Sequence, residues 1–192
     1  MKNTYTDGTK KNQITLTLNI DDSDLNKKIY FLDNTRGKNY IENGRFVSHH
    51  HNNLQELSED NTRIYINNKE EIFKKYFVPK EKGKYKIKII FTLPMTNCVY
   101  MFCECNKLSS IDFSSFNSEN IENMGYMFYN CEQLTNLDLS LFNTRDVINM
   151  DNIFTGCEKL SNIIISRKSY LKMKDEIPSS SAVVIIEGNE NK

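Results

Sequence analysis

The hydrophobic pattern changes its period about halfway along the chain. In the first half it alternates. Ile14, Leu16, Leu18 and Ile20 are separated by Thr15, Thr17 and Asn19, a period of two that predicts a strand with one face turned to a core. Lys28 to Leu32, Arg63 to Ile66, Ile72 to Val78 and Lys84 to Phe91 carry the same β character. Asn53 to Leu57 predicts one helical turn, and Lys82-Gly83 a hairpin turn between the last two strands. These elements predict a small β-rich, sandwich-like capping domain over residues 13–94, preceded by a disordered stretch at 1–12.

From Met95 onward the pattern repeats every 26 residues. Met101, Met127 and Ile153 stand in register, as do Phe102, Phe128 and Phe154; Cys105, Cys131 and Cys157; Leu108, Leu134 and Leu160; and Ile111, Leu137 and Ile163. A fixed period of this length predicts stacked units, each unable to cover its own apolar face alone. Within a unit, Met124, Met127, Phe128 and Cys131 fall at i, i+3, i+4 and i+7, the stripe of a short helix, with Asn123 placed as its N-cap and Asn97 and Asn149 at the equivalent positions. Leu134, Leu137 and Leu139 then follow an L-x-x-L-x-L pattern that predicts a strand with alternate residues inward. The fold expected is mixed and β-dominated: a short leucine-rich-repeat solenoid of α/β coils over residues 95–166 behind the β-rich capping domain. Arg167 to Ile177, stopped by Pro178, predicts a helix, and Val183 to Ile186 a strand, so residues 167–188 form a helix-strand cap before a tail at 189–192.

The units share an M-F-x-x-C-x-x-L-x-x-L-D-L-S core followed by F-N-T and N-M. In this they resemble the BspA-like leucine-rich repeats of bacterial surface proteins and protist proteins, over about residues 95 to 166. The resemblance implies a curved stack used for protein interaction or adhesion, with no catalytic residues to carry over.

Composition narrows the function classes. Twenty-five basic and 25 acidic side chains cancel, so no global field draws the chain to nucleic acid or anionic lipid. Eight lysines against three glutamates between Lys69 and Lys88 make the head basic, whereas nine acidic residues against three basic ones from Met101 to Ser166 make the repeats acidic. Such polarity favours an oriented encounter with a charged protein surface, or weak head-to-tail self-association. No run of 18 apolar residues and no apolar leader occurs, which predicts a cytoplasmic chain without membrane insertion, or a cell-surface adhesin if an export signal is missing. No glycine-rich phosphate loop is present, and no cofactor is expected.

The candidate chemistry is sparse. His49, His50 and His51 are consecutive, which prevents all three from facing one metal, and they predict a solvated loop. Cys105, Cys131 and Cys157 fall on the apolar stripe, where thiols act as small hydrophobes. Cys98 joins them, whereas Cys103 aligns with Tyr129 and Thr155 and is expected at the surface. An enzyme or metal protein would have to be centred on Cys103 and the His triplet. The leading expectation is a non-enzymatic protein-interaction module. Its docking face is the outward row of the repeat strands: Ser110, Asp112 and Ser114, then Asn136, Asp138 and Ser140, then Asn162, Ile164 and Ser166. Strands about 4.8 Å apart make Asp112 and Asp138 neighbouring like charges, eased by a basic partner or a cation.

Overall fold

The computed structural model of the chain describes residues 12–35 and 54–187 in full, and the backbone of 39–42 and 45–48. Its strands are β1 (Asn12–Ile20), β2 (Ile29–Tyr30), β3 (Asn39–Glu42), β4 (Arg45–Ser48), β5 (Thr62–Ile66), β6 (Lys69–Glu71), β7 (Tyr76–Phe77) and β8 (Gly83–Phe91) in the first half. The second half adds β9 (Leu108–Asp112), β10 (Asn136–Leu139), β11 (Asn162–Ser166), helix α1 (Arg167–Met173) and β12 (Ala182–Ile186). Eight of these form one mixed sheet in the order β12-β11-β10-β9-β1-β8-β5-β6. β9 to β12 run parallel, and β9, β10 and β11 do so at the offset set by the repeat: Leu137 pairs with Ile111 on one side and with Ile163 on the other.

This architecture corrects the expected solenoid of α/β coils behind a separate sandwich-like domain. β1 inserts between β8 and β9 and pairs antiparallel with both, with Leu16 opposite Ile87 and Ile111. The two halves therefore share one sheet and one hydrophobic cluster, from Ile14 and Ile89 to Ile165 and Met173. The reason lies in the alternation of β1. Its Ile and Leu side chains are almost fully buried, and a strand with one apolar face is satisfied by any sheet that offers a matching face and two open edges.

The segments expected as short helices are not helical; α1 is the one α-helix among the described residues. Tyr100, Glu104, Tyr126, Asn130 and Asn152 have φ between 55° and 60°, and Gly156 has φ 77°. A left-handed residue at every fourth position interrupts a helix and leaves consecutive turns. Odd-numbered N–H groups in the second unit close these turns: Met127 donates to the Met124 carbonyl at 3.1 Å and Cys131 to Phe128 at 3.0 Å. Even-numbered ones leave the unit: Met124 donates to Asn149 at 2.9 Å, Tyr126 to Asp151 at 2.9 Å, Phe128 to Ile153 at 3.1 Å and Asn130 to Thr155 at 2.8 Å. The helical i to i−4 bonds are thus replaced by a ladder between units. Asn97, Asn123 and Asn149 do not cap helices. Each side chain accepts from the N–H two residues on, at 2.8–3.0 Å, an Asx turn that starts the segment.

Inside the ladder the aromatic rings stack. Phe128 lies 5.6 Å from Phe102 and 5.8 Å from Phe154, with interplanar angles of 12° and 11°. At the far end α1 packs against the loop after β10, its Lys172 Nζ donating to the Thr144, Arg145 and Val147 carbonyls at 2.6, 2.7 and 3.2 Å. α1 and β12 stand close to their expected positions. Other expectations change: Ile72 to Val78 is not one strand, and β7 pairs with β2, not with β8, so Lys82-Gly83 is no hairpin turn. Leu54 to Leu57 makes a single turn, with Leu57 N–H donating to the Leu54 carbonyl at 3.2 Å. Asn53, residues 1–11 of the expected disordered stretch and the tail at 189–192 lie outside the described residues.

Three substitutions probe this packing. Phe128→Ala empties the centre of the ring stack and should lower stability in urea by about 3–5 kcal/mol, whereas Leu141→Ala, at an exposed position, should change it by less than about 0.5 kcal/mol. At Gly156 a Cβ would fall on Asn130 Oδ1, so Gly156→Ala should cost on the order of 1–3 kcal/mol in the same assay, from strain and clash together.

Candidate functional site

Period-two alternation turns Ile111, Leu137, Leu139, Ile163 and Ile165 into the core and leaves their neighbours on the opposite face. Of the expected docking residues, Asp112, Asn136, Asp138 and Asn162 are exposed, and Ser110 and Ile164 are half-buried. All six stand on β9, β10 and β11 and share that face. Asn162 Nδ2 donates to Asn136 Oδ1 at 2.8 Å, which ties the polar row across two strands. Ser114 and Ser140 are placed differently. Both lie just past the strand ends, where Ser114 N–H donates to Asp112 Oδ1 at 2.8 Å and Ser140 N–H to Asp138 Oδ1 at 2.9 Å. Each aspartate therefore caps the turn after its own strand through one oxygen, and its charge remains at the surface.

The face continues where sequence reasoning did not carry it. On β1, Thr15 stands opposite Asp112 and Thr17 opposite Ser110. On the far side of β1, Thr15 meets Lys88, Thr17 meets Lys86 and Asn19 meets Lys84. Lys88 Nζ lies 4.5 Å from the centre of the Tyr65 ring on β5, within reach of a cation–π attraction. An acidic band on β9 and β10 thus faces a basic band on β8 across one neutral strand. The alternation of Thr15, Thr17 and Asn19 was the available signal for these residues. Their partners are not written locally, because the β1–β9 pairing joins positions far apart in the chain.

The same strand edge is braced at its other end. Lys107 Nζ reaches Asp21 Oδ2 at 2.9 Å and Asp24 Oδ2 at 2.8 Å. Hydrogen bonds from the Ser23 hydroxyl and the Lys107 ammonium hold the Asp21 carboxyl well below the usual carboxylate range.

The five thiols are buried and form no disulfide. Cys131 Sγ donates to the Phe102 carbonyl at 3.1 Å and Cys157 Sγ to Phe128 at 3.0 Å. Burial pushes the Cys98 and Cys131 thiols up, and that of Cys157 up to about 12. Cys103 is also fully buried, which corrects its expected exposure. The segment that covers it comes from the head: Asp33 N–H donates to the Met101 carbonyl at 2.9 Å and Asn34 N–H to the Cys103 carbonyl at 3.0 Å. A nucleophile at Cys103 would have no access to substrate. His49, His50 and His51 lie outside the described residues. Among the described residues, no three His, Cys, Asp or Glu side chains converge as metal ligands, and no helix is long and apolar enough to cross a membrane.

These features define a β-rich chain in which 26-residue units extend one mixed sheet. Residues 47–168 match the family model described as "Mycoplasma protein of unknown function, DUF285". The match spans more than half of the chain, and the protein belongs to that family. Neither curated proteins nor solved structures give a match.

The thiols predict a pH dependence. The folded-state values of Cys98, Cys131 and Cys157 lie above the ordinary 9.0, so the folded chain keeps protons that the unfolded chain releases. Stability from this source is complete below pH 9 and falls as pH rises from 9 towards 12. Each thiol contributes roughly 1 kcal/mol per pH unit over that window. Urea midpoints between pH 8 and 11 should fall accordingly, and Cys131→Ala should make the fall shallower.

Proposed function

We propose that the chain is a non-enzymatic protein-interaction module whose docking face is the outward side of the sheet from β11 to β8. The observation that carries this reading is the charge pattern of that face. Asp112 and Asp138 are exposed on β9 and β10, Lys84, Lys86 and Lys88 line β8, and the neutral row of β1 separates them. At about 4.8 Å per strand, the two bands are some 10–14 Å apart. A partner with opposite charges at that spacing gains orientation and speed of encounter, and like-charged surfaces are rejected. The resemblance of the three units to BspA-like repeats supports the same reading, since those repeats serve interaction or adhesion. The chemistry of the face supports it as well: Ser, Thr, Asn, Asp and Lys on a flat sheet suit a polar protein surface, and the cleft beside Asp112, Ser114 and Asp138 holds only about 180 Å³, less than small-substrate sites usually offer.

The test removes charge without removing the turn caps. Asp112→Asn with Asp138→Asn keeps an oxygen for Ser114 and Ser140 N–H, and Lys86→Gln with Lys88→Gln neutralises the other band. In affinity capture from a lysate of the source organism, each double variant should recover about tenfold less of the same partner, and capture by the unaltered chain should weaken with added salt. Circular dichroism should show both variants folded. Undiminished capture by both would remove the face assignment.

A further inference from the structure

The inter-unit ladder has two ends, and they are not alike. In the first unit, Phe102 N–H donates to the Met127 carbonyl at 2.9 Å and Glu104 N–H to Tyr129 at 2.8 Å. In the second, Phe128 N–H donates to Ile153 at 3.1 Å and Asn130 N–H to Thr155 at 2.8 Å. The corresponding donors of the third unit are Phe154 and Gly156 N–H, and among the described residues neither has an acceptor. Nearby, Asn152 N–H is met by Glu176 Oε2 at 2.8 Å, so the cap replaces one carbonyl of the next rung; Met150 N–H also has no acceptor among the described residues, but the cleft is formed at Phe154 and Gly156. Both open donors border a cavity of about 280 Å³, lined also by Glu158, Glu176, Pro178 and Ser180. At the first end the rung is closed, because the Met101 and Cys103 carbonyls already accept from Asp33 and Asn34. A second copy of the chain therefore has no free carbonyl pair in its first unit to offer.

We propose that this cleft binds an extended peptide segment of a partner protein. The segment gives two backbone carbonyls, two residues apart, to Phe154 and Gly156 N–H, and a lysine or arginine to Glu158 and Glu176. The carbonyl spacing is fixed by the chain itself, which fills the same pair of donors twice, with Met127 and Tyr129 and then with Ile153 and Thr155. The charge preference follows from the rim. Glu158 is exposed and has no ion pair among the described residues, and Lys159 turns away to Gln133 Oε1 at 2.8 Å. Two carboxylates repel an anionic ligand, and N–H donors repel a metal ion. A neutral carbonyl row beside a cationic side chain satisfies both. Phe154 is almost completely buried, so a carbonyl supplied to its N–H is worth more than one supplied at the surface. The cleft lies on the turn side of the third unit, and the proposal does not depend on the sheet-face reading.

The probe is a fluorescein-labelled, acetylated peptide KIATK, which keeps the carbonyl spacing and places a lysine at each end. In the free chain, the Phe154 and Gly156 amides should exchange with solvent faster than those of Phe128 and Asn130. Saturating peptide should slow exchange at Phe154 and Gly156 by about tenfold and leave Phe128 and Asn130 unchanged. Glu158→Lys in the intact chain should weaken binding about fivefold, and the peptide EIATE should bind about tenfold more weakly than KIATK. Absence of saturation at about 1 mM peptide, protection at other amides instead, or equal binding of KIATK and EIATE would each overturn the proposal.

Discussion

The rest of the structure depends on one constraint: every second N–H in the first two turn segments must find its acceptor in the following unit. A segment of alternating turns cannot satisfy these donors internally, and a buried, unpaired N–H is expensive. The next unit therefore has to arrive with its carbonyls at the same height, and a fixed 26-residue length is what delivers them. The Asx turns at Asn97, Asn123 and Asn149 start each segment at the same level. Phe102, Phe128 and Phe154 then stack because their backbones are already aligned. Even the thiols take part, with Cys131 and Cys157 donating to carbonyls of the preceding unit.

The sheet follows from the same alignment. Once β9, β10 and β11 stand in parallel register, β9 is left with an open edge, and β1 covers it with a matching apolar face. That insertion makes the head and the repeats one body, and it brings the lysines of β8 within two strands of Asp112 on β9 and three of Asp138 on β10. The charge polarity of the sequence, basic before acidic, thus becomes a pattern on a single surface. The two ends of the turn ladder are finished by different means. The first is closed by backbone N–H groups of Asp33 and Asn34, and the second is closed partly, by the Glu176 carboxylate.

Much of this was legible. The period of two in Ile14 to Ile20 identified β1 and its buried face, and the five ladders identified which residues share a level. The shared outward face was readable for the same reason, at Ser110, Asp112, Asn136, Asp138, Asn162 and Ile164. Other features were not. Apolar residues at i, i+3, i+4 and i+7 describe a helical stripe and a pair of consecutive turns equally well, and the breaks fall at Tyr100, Glu104 and Tyr126, residue types that give no sign of a left-handed backbone. Asn130, Asn152 and Gly156 do tolerate it, and their placement on the same two rungs was the one local hint. The burial of Cys103 was out of reach, because its cover comes from Asp33 and Asn34. The pairing of β1 with β9 was hidden in the same way, since alternation fixes a face and says nothing of the neighbour.

Removal of one unit tests the ladder most directly. Deleting Ile121 to Asp146 takes out 26 residues and joins the first unit to the third in register, whereas deleting Ile121 to Arg145 takes out 25 and shifts every rung by one. The first deletion should leave a chain that unfolds cooperatively in urea with a smaller dependence on denaturant, and the second should abolish the cooperative transition. If both deletions unfolded alike, the inter-unit ladder could not be what holds the molecule together.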